Sequence, residues 1–232
     1  MSRQFSGAVI FLHGSGDSGD GVTNWINHVD PAFLQSLHAA NIKVIFPTAP
    51  MRPYSLMNGE ISTVWHDRWS FGMDAVEDIE GLSGTASLLN DMIQELMTVD
   101  GLKMNKIAIG GFSMGGGTSL VTGLSMLPKG LGGIFSMSSW VSSKSNLWNI
   151  LDADENSPSN HHPPIFMSHG EQDGMIKIKW GEFTRDNLIS KGLKVQWLSE
   201  PNIDHEPGPK QLNVLSSWLI QTLIEGQSNS TE

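Results

Sequence analysis

The stretch Lys106-Ile107-Ala108-Ile109-Gly110-Gly111-Phe112-Ser113-Met114-Gly115 joins a short apolar run to a segment of helical character. The run at 106–109 predicts a buried β-strand, and residues 115–126 are predicted to form a helix. A tight turn between a strand and a helix needs glycines on both sides of its central residue, so Ser113 is predicted to stand above the carboxyl edge of a sheet. The helix would direct its positive N-terminus at this serine. An ordinary glycine-rich turn without chemistry is the alternative.

Five further apolar runs of strand length accompany the first one, and helix-length segments separate many of them. The predicted strands are 8–12, 43–46, 133–137, 165–167 and 195–198. The predicted helices are 25–40, 88–97, 115–126, 180–191 and 211–224. Most of the strands are apolar on both faces, which is typical of a parallel sheet covered by helices on both sides. The prevailing βαβα order predicts the α/β class with a doubly wound sheet.

The chain is predicted to form a single domain over residues 7–224, followed by a polar tail at 225–232. The segment 152–164 reads as a surface loop rather than as a linker. The segment 51–74 fits neither the strand nor the helix pattern and is rich in proline, tryptophan and methionine. We expect it to wrap over the carboxyl edge of the sheet, where such folds bind their ligands.

Composition excludes several classes of function. The chain has 14 basic and 24 acidic residues and a net charge of −10, which argues against nucleic acid and against adhesion to anionic membranes. It contains no cysteine, so disulfides, thiolate zinc sites and cysteine nucleophiles are excluded. No apolar run reaches the length of a membrane span, and the first residues lack the apolar core of a signal peptide. We expect a cytoplasmic protein without a cofactor.

A serine nucleophile needs a base and a group that orients the base. In α/β hydrolases the order along the chain is serine, then an acid, then histidine. Asp173 follows the fifth predicted strand, and His205 follows the sixth and is the only histidine after His169. The acids that compete with Asp173 are Asp152, Asp154, Glu155 and Asp204. Asp204 adjoins the base too closely in sequence to reach its ring, and the other three precede the fifth strand.

The loop after the first strand reads His13-Gly14-Ser15-Gly16-Asp17-Ser18-Gly19. Together with the backbone N–H of Met114, this loop is the expected source of donors for an oxyanion. Gly14, Gly16 and Gly19 also match a dinucleotide-binding pattern, but the acidic residue expected about 20 positions later is absent. His161, His162 and His169 could form a metal site, although no ligand spacing supports one. Met57, Met114 and Met175 could line an adaptable apolar pocket.

The chain resembles the acyl-protein thioesterase and lysophospholipase family of α/β hydrolases, and its lysophospholipase-like branch most of all. The resemblance covers nearly all of residues 7–224. It rests on Phe11 to Gly19, Pro47-Thr48-Ala49-Pro50, Met51-Arg52-Pro53-Tyr54, Val64-Trp65-His66-Asp67-Arg68, Gly110 to Gly116, His169-Gly170-Glu171-Gln172-Asp173, His205 and Trp218-Leu219. It implies an α/β-hydrolase fold with a minimal lid. It also implies Ser113 as the nucleophile, Asp173 as the orienting acid, His205 as the base, and the backbone N–H groups of Ser15 and Met114 as the oxyanion donors.

The chain departs from the family pattern around the expected substrate pocket, for which we consider Met57, Trp65, Met175 and Ile176. His66 stands where the family has phenylalanine, and Met175-Ile176-Lys177 replaces a Val-Pro pair. The expected activity is acyl ester or thioester hydrolysis through an acyl-enzyme. By resemblance the first choice of substrate is palmitoylated protein cysteine, then short-chain carboxylesters, then lysophospholipids. The alternative without catalysis is an α/β module that binds an acyl group or a partner.

Overall fold

The structure is a computed structural model that describes residues 5–154 and 162–225. Its strands are β1 (Gly7–Leu12), β2 (Ile42–Ile45), β3 (Met51–Tyr54), β4 (Glu60–Thr63), β5 (Ile107–Phe112), β6 (Gly133–Met137), β7 (Ile165–Gly170) and β8 (Val195–Glu200). Six of them form one sheet in the order β2-β1-β5-β6-β7-β8, and every neighbouring pair in it is parallel. This confirms the α/β class and the parallel sheet.

Helices cover both faces of the sheet, as the apolar pattern of the strands predicts. They are α1 (Gly19–Val29), α2 (Ala32–Ala39), α3 (Ile79–Thr98), α4 (Met114–Ser125), α5 (Asn146–Asp154), α6 (Ile178–Ser190) and α7 (Pro209–Ile220), the last continued by a π-helical turn at Gln221–Glu225. One apolar core joins the sheet to α1, α2 and α7. A second core on the opposite face joins it to α3, α4, α5 and α6.

The alternation within β1 shows why a strand of this type must be buried on both faces. Ala8, Ile10 and Leu12 enter one core, whereas Val9 and Phe11 enter the other. All five side chains are inaccessible to solvent. Because successive residues of a strand point to opposite faces, an unbroken apolar run fits only a strand between two layers of helices.

The strands that precede the predicted catalytic turns are longer at their carboxyl ends than the sequence indicated. β5 continues through Gly110 and Gly111 to Phe112, and β7 continues through His169 to Gly170. Glycine and polar residues have weak β-propensity, which led the pattern to end both strands early. Pairing with β6 and β8 maintains these ends as strands. The turns therefore begin from residues that the sheet already holds in place.

The helix predicted over 25–40 is wrong as a single element. The structure has α1, which begins at Gly19 with the Ser18 hydroxyl accepting the Gly21 N–H at 3.0 Å, and α2, which begins after Pro31. Proline cannot donate a helical hydrogen bond and disfavours helix at the residue before it, so the chain breaks at Asp30-Pro31. The pattern also missed α5, whose end overlaps the loop predicted at 152–164; residues 155–161 of that loop lie outside the described residues.

The segment 51–74 begins with an antiparallel hairpin of β3 and β4, which the sequence did not predict. Asn58 and Gly59 turn the hairpin with positive φ angles of 54° and 83°. The hairpin lies at the carboxyl edge of the sheet as expected, because the Gly16 N–H donates to the Thr63 carbonyl at 2.9 Å. Within the described residues no helix has the length and apolar character of a membrane span. Of the predicted tail 225–232, only Glu225 is among the described residues.

Gly115→Ala tests the packing of the turn between β5 and α4. A Cβ at Gly115 would lie 2.3 Å from the Leu12 carbonyl oxygen, and neither backbone can move without disturbing the sheet. We expect the free energy of unfolding to fall by about 3 kcal/mol, as in other overpacked cores. Gly84→Ala is the matched control, since Gly84 is exposed in α3 and a Cβ there meets nothing within 4 Å. We expect it to stabilise the protein by about 0.5–1 kcal/mol in urea unfolding. Equal effects of the two substitutions would contradict this account.

Candidate active site

Ser113 occupies the turn between β5 and α4, with φ 53° and ψ −120°. This conformation is costly for a residue with a side chain. It is held by the Ser113 N–H, which donates to the Met137 carbonyl at 2.9 Å, and by the Gly116 N–H, which donates to the Ser113 carbonyl at 3.1 Å. Backbone strain that the surrounding structure overcomes in this way is typical of a functional position.

His205 joins Ser113 to Asp173 in a chain of two hydrogen bonds. Its Nδ1 lies 2.8 Å from the Asp173 Oδ2, and its Nε2 lies 3.0 Å from the Ser113 Oγ. Because a carboxylate only accepts, Nδ1 carries the ring proton, and Nε2 is left free to accept the serine proton. The turns after β5, β7 and β8 thus bring together the three residues singled out from the sequence, in the tautomer that a general base requires.

The Asp173 carboxylate is surrounded by donors and has a side chain that is wholly buried. Its Oδ1 accepts the N–H groups of Ile176 at 2.7 Å and Met175 at 3.0 Å. Its Oδ2 also lies 3.4 Å from the Nε2 of His169. Burial by itself would raise the pKa of Asp173, but the hydrogen bonds from His169, His205 and the Ile176 backbone outweigh it and hold this pKa well below its ordinary value. The carboxylate is therefore charged at neutral pH and can stabilise an imidazolium.

The loop after β1 is fixed next to the serine by a buried histidine. The His13 Nδ1 donates to the Gly14 carbonyl at 2.6 Å, and its Nε2 accepts the Ala49 N–H at 2.9 Å. Accepting a backbone N–H requires a neutral ring, and burial lowers the pKa of His13 accordingly. The Trp65 Nε1 donates to the His13 carbonyl at 2.9 Å. A Cβ placed on Gly14 would lie 3.3 Å from the Cβ of Ser113, so the loop that carries exposed Ser15 borders the serine.

Met114 is the first residue of α4 and follows the serine directly. Its N–H has no acceptor within the helix, because the first four N–H groups of a helix lack intrahelical partners. The positive end of the helix dipole adds to the field of this N–H. Met114 and the loop carrying Ser15 thus border Ser113 from two sides, which is the arrangement that an oxyanion site needs.

The four predicted pocket residues fall into two pairs. Met57 and Met175 are 45% and 57% exposed at the carboxyl edge of the sheet. Trp65 and Ile176 are 1% and 0% exposed, and their backbone or ring N–H groups hold His13 and Asp173 in place. That all four line a substrate pocket stays a prediction, but the two buried side chains offer no surface to a substrate in this conformation.

Of the histidines considered for a metal site, the described ones, His162 and His169, belong to no group of metal-ligating side chains. The His169 Nε2 faces the Ile176 carbonyl at 2.7 Å and, more distantly, the Asp173 carboxylate. His162 lies in the described part of the chain, and His161 lies outside it. No group of three or more metal-ligating side chains occurs within residues 5–154 and 162–225.

Sequence reasoning missed the supporting role of two residues around Asp173. One is His169, whose ring contacts the carboxylate from within β7. The other is Asp204, whose Oδ1 accepts the N–H groups of Gly174 and His205, both at 2.8 Å. Asp204 was rejected as the orienting acid because of its position next to His205. The structure shows that Asp204, from this position, connects the turn that carries Asp173 to the turn that carries His205.

A parallel sheet that carries a serine on a strand–helix turn, beside a histidine and a buried aspartate, defines a serine hydrolase of the α/β-hydrolase class. Residues 2–223 match the phospholipase/carboxylesterase family, and the chain belongs to that family.

Individual relatives agree with this assignment. The chain is 35% identical to lysophospholipase-like protein 1 of Mus musculus, over 96% of this chain and 91% of the relative. It is 33% identical to acyl-protein thioesterase 1 of Yarrowia lipolytica, over 94% of this chain and 92% of the relative. The crystal structure of Zea mays acyl-protein thioesterase 2 superimposes with a TM-score of 0.79 at 27% identity, covering 96% of each chain. The resemblance derived from the sequence is thereby confirmed.

Asp204→Ala should slow the reaction of Ser113 with a fluorophosphonate by about fivefold, because the two backbone donors lose an acceptor worth about 1 kcal/mol. Asp204→Asn keeps a side-chain oxygen at the same place and should react at close to the wild-type rate. The second-order labelling rate of each folded variant gives the comparison. Wild-type rates for both variants would show that Asp204 has no positioning role.

Asp173→Asn tests the charge state of the buried carboxylate through stability. The pKa of Asp173 is lower in the folded protein than in the unfolded chain, so its contribution to stability is present at neutral pH and is lost as the pH falls below about 4. The variant lacks this group, so its free energy of unfolding should fall less than that of the wild type between about pH 7 and pH 3.

Urea unfolding at the two pH values measures this difference. Glu60→Gln, at an exposed position in β4, is the control for removing one carboxylate. An Asp173→Asn variant that loses as much stability with acid as the Glu60→Gln control would contradict the expectation.

Proposed function

We propose that this chain hydrolyses acyl thioesters and esters through a covalent acyl-enzyme on Ser113. The observation that carries the proposal is the pair of hydrogen bonds that joins Asp173, His205 and Ser113 at 2.8 and 3.0 Å. The catalytic domain would span residues 7–224, in keeping with the family match to residues 2–223.

In the first half of the reaction the Ser113 Oγ attacks the acyl carbonyl carbon while its proton passes to the His205 Nε2. The Asp173 carboxylate keeps the ring oriented and stabilises the imidazolium. The N–H groups of Met114 and Ser15 would receive the oxyanion of the tetrahedral intermediate. The intermediate collapses to the acyl-enzyme, and the imidazolium protonates the departing alcohol or thiolate.

In the second half a water molecule gives a proton to the His205 Nε2 and attacks the acyl-enzyme. Collapse of the second intermediate releases the carboxylic acid and returns the proton to Ser113. This half is the same for an ester and for a thioester. The first half differs, because a cysteine thiolate, with an ordinary pKa of about 8.5, leaves without much help from an acid.

The proposed substrate is a fatty-acylated cysteine of another protein, palmitoylated cysteine first among them. The names of two relatives, both acyl-protein thioesterases, support this choice. So do the exposed side chains of Met57 and Met175 at the edge that carries Ser113, since methionine adapts to apolar ligands. A protein acting on such substrates would work in the cytoplasm, consistent with a chain without cysteine.

Short-chain carboxylester hydrolysis is the second candidate. The burial of Trp65 and Ile176 favours it, because these side chains leave less apolar surface for a long chain. The name of the mouse relative keeps lysophospholipids as a third candidate.

Hydrolysis rates against acyl length, from acetyl to palmitoyl on matched esters and thioesters, test the proposal. A maximum at long thioesters is the expected result, and a maximum at short esters would favour the carboxylesterase. Ser113→Ala is the control and should lower kcat by about 10⁴-fold or more. Equal rates for the wild type and Ser113→Ala on every substrate would overturn the proposed mechanism.

A further inference from the structure

A cavity separate from the hydrogen-bonded chain of Ser113 lies between the segment that follows β4 and the helices α3 and α4. Its enclosed volume is about 40 Å³, and about 410 Å³ when the open space at its mouth is counted. Its apolar lining includes Leu82, Val121 and Trp140. Three side chains with titratable groups, His66, Arg68 and Glu77, also line it. A pocket of this kind, apolar with a few polar groups, is the usual form of a ligand site.

Arg68 is the unusual member of this lining. Its residue is only 7% exposed, and its guanidinium carbon lies 4.6 Å from the centre of the Trp140 ring. It also forms a hydrogen bond with the Tyr54 hydroxyl. Burial lowers the pKa of Arg68, and the contact with Tyr54 opposes this effect. No carboxylate of the described residues forms an ion pair with it. A buried cation without an anionic partner costs several kcal/mol in general, so its retention points to an anion that arrives from outside.

Neither of the other two titratable groups in the cavity forms an ion pair with Arg68. Glu77 hydrogen-bonds the Ser145 hydroxyl and the Asn146 N–H at the start of α5, and burial raises its pKa. Burial and the nearby guanidinium lower the pKa of His66 to about 3, so its ring is neutral at physiological pH. The His66 Nδ1 donates to the Asp67 carbonyl at 2.9 Å. The cavity therefore places the Arg68 guanidinium next to apolar walls, without an ion-pair partner among the described residues.

The cavity is near the reacting serine along three routes. Thr118 lines it and lies five residues after Ser113, which is about 8 Å along a helix axis. His66 follows Trp65, whose ring N–H holds the loop beside Ser113. Tyr54 connects Arg68 to the Ser15 side chain through hydrogen bonds. These contacts place the lining of the cavity next to the residues that hold Ser113 and the loop beside it.

We propose that Arg68 binds a carboxylate at the far end of the substrate's acyl group, so that the enzyme prefers half-esters of dicarboxylic acids to neutral acyl groups of equal length. The proposal rests on the proposed acyl hydrolysis and names a substrate class for it. A guanidinium pairs with a carboxylate through two parallel hydrogen bonds, and the methylenes of the chain would contact the apolar walls. The incoming anion would supply the ion-pair partner that Arg68 does not find among the described residues.

The test compares two series of p-nitrophenyl esters by kcat/KM. The first series consists of the monoesters of glutaric, adipic, pimelic and suberic acid. The second consists of the esters of monocarboxylic acids of the same chain lengths, whose acyl groups carry no charge. At the best length, the wild type should prefer the carboxylate-bearing ester by about tenfold to a hundredfold, the range for a hydrogen-bonded charged group. Arg68→Met should reverse the preference, and Arg68→Lys should retain part of it. Glu77→Gln should increase it, because a nearby carboxyl group is then removed.

Arg52→Gln is the matched control for the loss of a positive charge. Arg52 lies in β3 of the neighbouring hairpin and does not line the cavity, so its removal should leave the preference unchanged. A change equal to that of Arg68→Met would reduce the effect to long-range attraction and overturn the proposal. So would a wild type that hydrolyses neutral esters in a Ser113-dependent way without favouring any carboxylate-bearing one. Absence of Ser113-dependent hydrolysis of every substrate would instead overturn the proposed function.

Thermal shift with adipate provides a second readout that does not depend on turnover. On Ser113→Ala, adipate should raise the melting temperature, and monomethyl adipate should do so less strongly, because it has one carboxylate for Arg68 but a blocked second end. Hexanoate has one carboxylate and an apolar far end. With that carboxylate at Arg68, its apolar end would lie at the serine, so hexanoate should have the smallest effect. Equal shifts in Ser113→Ala and in the double variant with Arg68→Met would overturn the assignment of Arg68.

Discussion

The close approach of two backbones, β1 and the turn after β5, is the constraint on which the active site depends. A Cβ at Gly111 or Gly115 would lie 2.2 or 2.3 Å from the Leu12 carbonyl oxygen. Only glycine permits this distance, and it is this distance that brings the loop after β1 next to Ser113. The two glycines therefore do more than shape the turn: they bring the serine and the nearby loop that carries Ser15 together.

Much of this arrangement could be predicted from the sequence, because local rules and chain order suffice for it. The apolar runs indicated the strands, and the glycines around Ser113 indicated the turn. Parallel strands bring their carboxyl ends to one edge, so Asp173 and His205 were expected near the serine. The break at Pro31 could also have been predicted from local rules. It was missed because the apolar stripe of the predicted helix continued on both sides of the proline.

Contacts between residues distant in sequence could not be predicted in this way. His13 and Ala49 are joined by a hydrogen bond, as are Trp65 and the His13 carbonyl, but no spacing rule relates these positions. Asp204 illustrates the same limit. Its place beside His205 excluded one role, whereas its bond to the Gly174 N–H depends on how two separate turns meet. The hairpin of β3 and β4 likewise depends on the pairing of its two strands. The proline and methionine residues of this segment do not predict that pairing.

The buried titratable groups around the site must hold different charge states: one has to stay neutral and another has to stay charged. His13 holds its loop only as a neutral ring, since its Nε2 accepts a backbone N–H. Asp173 orients His205 only as an anion, and four donors from His169, Met175, Ile176 and His205 surround it. Burial alone would neutralise both groups, so the hydrogen bonds decide the difference: Asp173 receives donors, whereas His13 has to accept one. Arg68 obeys neither rule, because it is buried and no carboxylate among the described residues pairs with it. Its free energy is lowered only partly by Trp140 and Tyr54, and that imbalance is what a negatively charged ligand would remove.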